Sequence, residues 1–308
     1  MNTMTRIKGA VRRVGGTSPS HSVQQSLGLL DVSELKYGDR SQLEDRIRGA
    51  ARYAALDRDI GLTRVLGRYK MFVNPKDDAV SAHLILDGFW EMWNTMFLAR
   101  FIKPGMKVIE IGSNLGYFSL LMSDFVGPNG RVVGFEPLTY NVDLLDRTIA
   151  INGFSGRFTS DRRAVSDRDG VAHIYVPLGN WGGGSIMVGE HAFENAAHEE
   201  VETIRLDAFC EANEFWPEFV KMDAEGSEPA IWNGMTQLRK KQKKLAVMIE
   251  FDHHRVPGWR KWFESIETEG FELFRVGYDT KLTRVRPTDP EPTDMFEIIA
   301  LRGFSSDI

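Results

Sequence analysis

The sequence predicts an α/β fold built on an open, mainly parallel sheet, and three observations carry that reading. From Met106 onward, short β-branched runs alternate with helical segments, the pattern of strand–helix–strand units lying side by side in one sheet. Residues 108–111, entered from the turn Lys103-Pro104-Gly105, lead through Gly112-Ser113-Asn114-Leu115-Gly116 into the helical composition of residues 117–122. A strand, a glycine turn and a helix start in that order offer bare backbone N–H groups to a ligand. The next strand, residues 131–135, ends at Glu136-Pro137 about 20 residues after the glycine turn, where a carboxylate can grip a ribose diol. The glycine spacing is Glu110-x-Gly112-x-x-x-Gly116 rather than the G-x-G-x-x-G of nicotinamide sites, which disfavours an oxidoreductase.

At 308 residues the chain is long enough for a substantial core in one large or two smaller domains. A net charge of −5 gives no electrostatic reason to expect nucleic-acid binding. Cys210 is the single cysteine, which excludes an intramolecular disulfide and a cysteine-built zinc site. That usage fits a reducing cytoplasm. No stretch reaches the apolar length needed to span a bilayer. A homo-oligomer is compatible with the sequence.

Taken in order, residues 1 to about 30 are rich in Gly, Ser and Thr and basic, and the first 40 are expected to form a weakly ordered arm. Residues 41–100 are expected to form a helical cap, with one helix over 42–59 and an aromatic-rich helix from Ser81 that holds Trp90, Trp93 and the lone carboxylate Glu91. A short strand at 69–73 stops at Asn74-Pro75. Residues 101–308 form the main domain. There a helix over 139–152 and a strand at 157–159 precede an inserted β-hairpin at 171–176 and the glycine-rich loop 180–185. Asp207 is placed to cap the helix carrying Cys210. Strands at 219–222 and 245–251, a helix at 259–269 and an antiparallel pair at 271–276 and 295–301 complete the sheet.

Ligands bind beyond the carboxyl ends of such strands. Four predicted strands end there in polar groups: Gly112-Ser113-Asn114, Glu136, Asp223-x-Glu225, and Glu250-x-Asp252-His253-His254. Residues far apart in the chain therefore meet at one crevice.

These motifs resemble the FkbM family of class I S-adenosylmethionine (SAM)-dependent methyltransferases. The likeness rests on Val108-Ile109-Glu110-Ile111-Gly112-Ser113-Asn114-Leu115-Gly116-Tyr117, on Gly134-Phe135-Glu136-Pro137, and above all on Val220-Lys221-Met222-Asp223-Ala224-Glu225-Gly226-Ser227-Glu228. The resemblance implies a Rossmann-like seven-stranded class I methyltransferase sheet, with the β-hairpin as an insertion and the N-terminal helices as a cap. It implies SAM as cofactor and O-methylation of a sugar, glycan precursor or related metabolite. By the same analogy Glu110, Gly112, Asn114 and Gly116 lie along the methionine and ribose of SAM, Glu136 holds the ribose hydroxyls, and Ala164-Val165 border the adenine. Glu91, Ser113, Pro137 and Asp223 complete the expected cofactor-binding set. Family members often carry Asp at the place of Glu110 and Ala or Pro at that of Ser113, both mild departures.

The chemistry needs an oxygen nucleophile aligned with the sulfonium methyl group and relieved of its proton. Asp223, Glu225, Glu250 and His254 are the expected catalytic residues. Magnesium on the three carboxylates is the competing answer; no sequence feature demands it, so no metal ligand is assigned. Glu228, in the first turn of its helix, is explained by the helix dipole without catalysis. A module that binds SAM or a nucleotide but has lost the chemistry is the alternative, disfavoured because such a module has no need of a buried carboxylate cluster.

Overall fold

A computed structural model describes residues 30–177, 179, 183–186 and 197–305. The remainder of the predicted arm and residues 180–182 of the glycine-rich loop lie outside the described residues. The sheet is the part of the fold that positions the site. Its parallel centre is made by β4 (Lys107–Ile111), β5 (Arg131–Phe135), β6 (Phe158–Asp161), β10 (Phe219–Met222) and β11 (Leu245–Phe251), numbered in chain order. Three antiparallel strands extend it: β12 (Glu272–Val276), β13 (Leu282–Arg284) and β14 (Phe296–Arg302). The spatial order is β13-β12-β14-β11-β10-β4-β5-β6, so the sheet has eight strands where seven were expected. The additional strand is β13, three partly exposed residues without the apolar alternation that announces a strand.

Both faces of the sheet are buried, and side chains alternate between two cores. Val108, Ala246 and Met248 face the core covered by α5 (Tyr117–Phe125) and α6 (Thr139–Ile151). Ile109, Ile111, Val247, Ile249 and Phe251 face the core covered by α8 (Glu228–Asn233), α9 (Thr236–Lys241) and α10 (Trp259–Thr268). Burial on both sides explains why these strands read as continuous apolar runs.

The N-terminal part is not purely helical. After α1 (Glu34–Tyr37) and α2 (Arg40–Ala50) the chain forms an antiparallel sheet of β1 (Tyr53–Ala55), β2 (Gly61–Val65) and β3 (Tyr69–Val73). The expected helix over 42–59 stops at Ala50, and Ala54 and Ala55, which extend the helical spacing, fall on β1, whose three residues are exposed and meet no core. Residues 30–40, expected within the weakly ordered arm, are packed: Leu30 and Leu35 are buried and Arg46 pairs with Glu34 at 2.5 Å. The predicted aromatic helix is two helices, α3 (Val80–Leu86) and α4 (Met92–Phe101). They are separated where Gly88 and Glu91 adopt left-handed backbone, with φ 75° and 39°.

The insertion is also larger than a hairpin. β7 (Ala164–Ser166), β8 (Gly170–Val176) and β9 (Ala197–Arg205) form a second sheet with β9 in the centre. Asp207 does cap a helix, but not the one that carries it. Its carboxylate accepts from Gln237 and Leu238 N–H, both at 2.8 Å, at the start of α9.

Candidate functional site

Strand register assembles the site. Ile111 lies opposite both Phe135 and Met222, and Met222 lies opposite Ile249, so the residues that follow these four strands emerge along one edge. The turn after β4 is held against β5 by two N–H groups, from Gly112 and Ser113, both donating to the Phe135 carbonyl at 3.0 Å. Gly112 has φ 80°, and a Cβ there would stand 1.8 Å from the backbone oxygen of Asp223. Only glycine lets the two strand ends approach so closely.

Two chambers open along this edge. The first is lined by Gly112, Asn114, Glu136, Pro137, Ala164 and Val165 among others, with Ile174 and Ile186 from the insertion. Its lining, apolar walls with a few polar groups, suits a nucleoside. The second is lined by Trp90, Glu91, Glu110, Ser113, Lys221 and Glu250. Gly112, Asn114, Asp223 and Glu225 line both. Gly116 opens α5 with φ 90°, and a Cβ there would meet Leu145 at 2.2 Å, so its part is to bring α5 against α6. All the expected cofactor-contact residues except Gly116 therefore line one chamber or the other.

Glu136 is buried at the mouth of the first chamber. One carboxylate oxygen accepts from Asn114 N–H at 2.8 Å, the other from Leu138 N–H at 3.1 Å. Burial pushes its carboxyl up to about 7 against those bonds. In the second chamber Glu110 accepts from the Ser119 hydroxyl and is likewise pushed by burial to about 7. Burial, then the nearby Glu297, raises Glu91 to about 8. Glu225 rises to about 7 through burial and Asp223. Burial, then Asp223 and Glu225, also raises Glu250. Glu228 is buried, and its carboxylate accepts from Ala224 N–H at 2.8 Å. It thus braces the Asp223–Gly226 loop beyond any helix-dipole effect.

The positive charges that make such crowding tolerable were not singled out in the sequence. Lys221 is 3% exposed, and its ammonium lies 3.0 Å from Asp223. Burial alone would lower its pKa, but Asp223, Glu110 and Glu91 outweigh that and hold it above the ordinary lysine range. Arg255, on the turn after β11, pairs with Glu225 and reaches Glu250 at 3.7 Å and Asp252 at 3.5 Å. In a strand, alternate residues share a face, so a lysine two positions before the aspartate was a legible signal. His254 takes no part in the chamber lining. It is exposed, its backbone N–H bonded to Asp252 at 2.9 Å, because the turn after β11 points its side chain outward while Arg255 turns in.

Backbone strain collects here too. Among the described residues six non-glycines have positive φ, and three of them, Glu91, Asn114 and Glu225, line the second chamber. Such conformations persist where surrounding structure enforces them, commonly at functional sites. Asp223, Glu225 and Glu250 can bring oxygens within 4.8 Å of one another, a spacing open to a hard cation; Asp252, His253 and His254 form a second such group. A third opening shares Trp90 and Glu91 with the second chamber and adds Phe89, Trp93, Tyr278, Arg40 and Glu297.

The raised carboxyls have a consequence for the ligand-free chain. Their folded pKa values exceed the unfolded ones, so the associated stability is complete below about 4.5 and is lost as pH rises through about 7 to 8. Raising pH from about 6 to 8.5 should therefore destabilise the chain by on the order of 1–3 kcal/mol. Calorimetric melting at the two pH values checks this, and a melting temperature that climbs with pH would contradict it.

The family model of the methyltransferase FkbM domain matches residues 110–304, well over half of the chain. The chain belongs to the FkbM methyltransferase family. The match takes in the four strand ends that build the two chambers. Shorter stretches resemble curated methyltransferases. A protein-L-isoaspartate O-methyltransferase of Methanothrix thermoacetophila is 35% identical over 48 residues, 16% of this chain and 23% of that protein. The ribosomal RNA large subunit methyltransferase E of Hahella chejuensis is 34% identical over 62 residues, 20% of this chain and 28% of that protein. The chain thus spans about a quarter of the length of the curated relatives it matches. Among solved structures, an O-methyltransferase from Bacillus cereus in complex with SAH is 16% identical at a TM-score of 0.39, covering 64% of this chain and 74% of that one. Precorrin-6y C5,15-methyltransferase from Geobacter metallireducens is 13% identical at the same TM-score, covering 73% and 95%. Among the described residues no helix is long and apolar enough to cross a membrane.

Proposed function

We propose that this FkbM-family chain transfers the methyl group of SAM to a hydroxyl of a carbohydrate or a related small metabolite. One observation carries the reading: two chambers meet at Gly112, Asn114, Asp223 and Glu225, one lined for a nucleoside and the other by carboxylates. The residues present fit SAM. Glu136 would hold the ribose, Pro137, Ala164, Val165 and Ile174 would give apolar walls to the adenine, and the glycine at 112 leaves no side chain between the two strand ends. Bound SAM supplies an already activated methyl group, so the protein has to align an acceptor and take its proton.

We assign that task to Asp223. Its side chain is a third exposed, it lines both chambers, and Lys221 fixes one of its oxygens. Glu225 and Glu250 surround it and are themselves tied to Arg255. The third opening supports a ring-shaped, hydroxyl-rich acceptor. Trp90, Trp93 and Tyr278 give it an aromatic wall, in which Arg40 already lies over Trp93 and Trp93 packs edge-on with Tyr278, and the charged pairs beside them, such as Arg40 with Glu44 at 2.5 Å, can serve hydroxyls.

The test is incubation with labelled SAM and a panel of sugar nucleotides, glycans and cell extracts. Transfer of label to a hydroxyl is expected; binding of SAM without transfer to any acceptor would favour a module that lost its chemistry. Glu136→Ala should remove a charge-assisted contact to the ribose and weaken binding of S-adenosylhomocysteine by roughly 1.5–3 kcal/mol. Unchanged affinity by calorimetry would remove Glu136 from the ribose site.

A further inference from the structure

A cluster of carboxylates at a methyl-transfer site invites a divalent cation, yet here the cluster is already supplied with charge. Lys221 projects from β10 opposite Glu110 of β4 in the strand register. Its ammonium sits 3.0 Å from Asp223 and 4.8 Å above the Phe118 ring, with the side chain 4% exposed. Glu91, from the start of α4, and Glu250, from β11, line the same chamber. On the far side Arg255 reaches Glu225, Glu250 and Asp252.

We propose that Lys221 is the resident cation of this chamber, a positioning residue that holds Asp223 toward the acceptor and fills the electrostatic place of a divalent ion. This rests on the reading of Asp223 as the acceptor-facing carboxylate. A metal bound to Asp223 would share that carboxylate with an ammonium that cannot leave, and two cations so close in a buried site repel strongly. Asp223 is also kept from swinging freely, because one of its oxygens is engaged and the other remains for the acceptor proton. A lysine that only packed would have no reason to place its nitrogen among carboxylates from three elements.

The experiment compares the full chain with Lys221→Met and Lys221→Arg, using manganese as the metal probe. Measured in a His253→Ala/His254→Ala background, which removes the neighbouring Asp252–His253–His254 group, the protein with Lys221 intact should show no stoichiometric manganese site at millimolar metal, by calorimetry and electron paramagnetic resonance. Lys221→Met should bind manganese at least about tenfold more tightly, and its kcat should fall about a hundredfold with KM for SAM changed much less. Lys221→Arg should keep manganese out. A manganese site in the unaltered protein on which turnover depends would overturn the proposal. So would a Lys221→Met variant with unchanged kcat and manganese affinity. If Lys221→Met fails to fold, the pair Lys221→Met/Asp223→Asn removes both charges and should recover the melting temperature; failure to recover it also overturns the counter-ion role. Binding of S-adenosylhomocysteine by the unaltered protein tests the functional reading separately, since it involves neither manganese nor the variants.

Discussion

Replacing Asp223 by asparagine is expected to lower the methyl-transfer rate by about two to four orders of magnitude, the usual contribution of a positioned general base. The side chain keeps its size, so packing is undisturbed and the loss reads out charge and proton affinity. Lys221 loses its nearest carboxylate but retains Glu110 and Glu91 as neighbours, so the fold should survive. The fall should appear in kcat, with affinity for S-adenosylhomocysteine changed by less than about tenfold. Glu225→Gln and Glu250→Gln should cost less, because both already share Arg255 and stand behind Asp223. Full activity of Asp223→Asn, in the presence and absence of a chelator, would remove this residue from the chemistry. Loss of activity on chelation in the unaltered protein would point to a metal instead of a base.

The second large effect is expected at Gly112. The first carbon of any side chain would stand 1.8 Å from the Asp223 carbonyl oxygen, so the damage begins at alanine rather than at a bulky residue. Gly112→Ala and Gly112→Val should both push the β10 end away from the β4 turn and abolish measurable SAM binding. Left-handed backbone adds strain of about 1–3 kcal/mol to either variant. Gly105→Ala is the control, since it shares the positive φ, at 89°, but has nothing within 4 Å of the added carbon. Melting temperature and S-adenosylhomocysteine affinity, measured side by side, separate the two causes. If Gly112→Ala behaves like Gly105→Ala, the close approach of the two strand ends is not what the site depends on.

Much of this protein is legible in its amino-acid sequence. The buried strands show themselves as β-branched apolar runs, because a parallel sheet covered on both faces has no polar side to display. The strand-end motifs lie at the chain positions where a doubly covered sheet must expose its edge, so the convergence of Gly112, Glu136, Asp223 and Glu250 followed from local signals alone. The FkbM assignment rests on the same stretches, and the family match over residues 110–304 agrees with it.

What only tertiary structure decided were the features that depend on partners distant in sequence. β13 became a strand because β12 offered it an edge, not because of its own residues. Asp207 caps α9 instead of its own helix because that helix start is brought to it in space. The cap acquired a small β-sheet where an alanine spacing found no core to bury. Asp87-Gly88 is a turn signal, but the left-handed backbone that brings Glu91 to the chamber falls on a non-glycine that no local composition announces. The charge balance was hidden for the same reason. Which cation answers Asp223 depends on which side chains share a space, and the closed fold brings buried Lys221 to Asp223 and half-exposed Arg255 to Glu225, while His254 stays outside the chamber lining. Spacing along a chain specifies faces and ends; the pairing of charges is settled only when those faces close on one another.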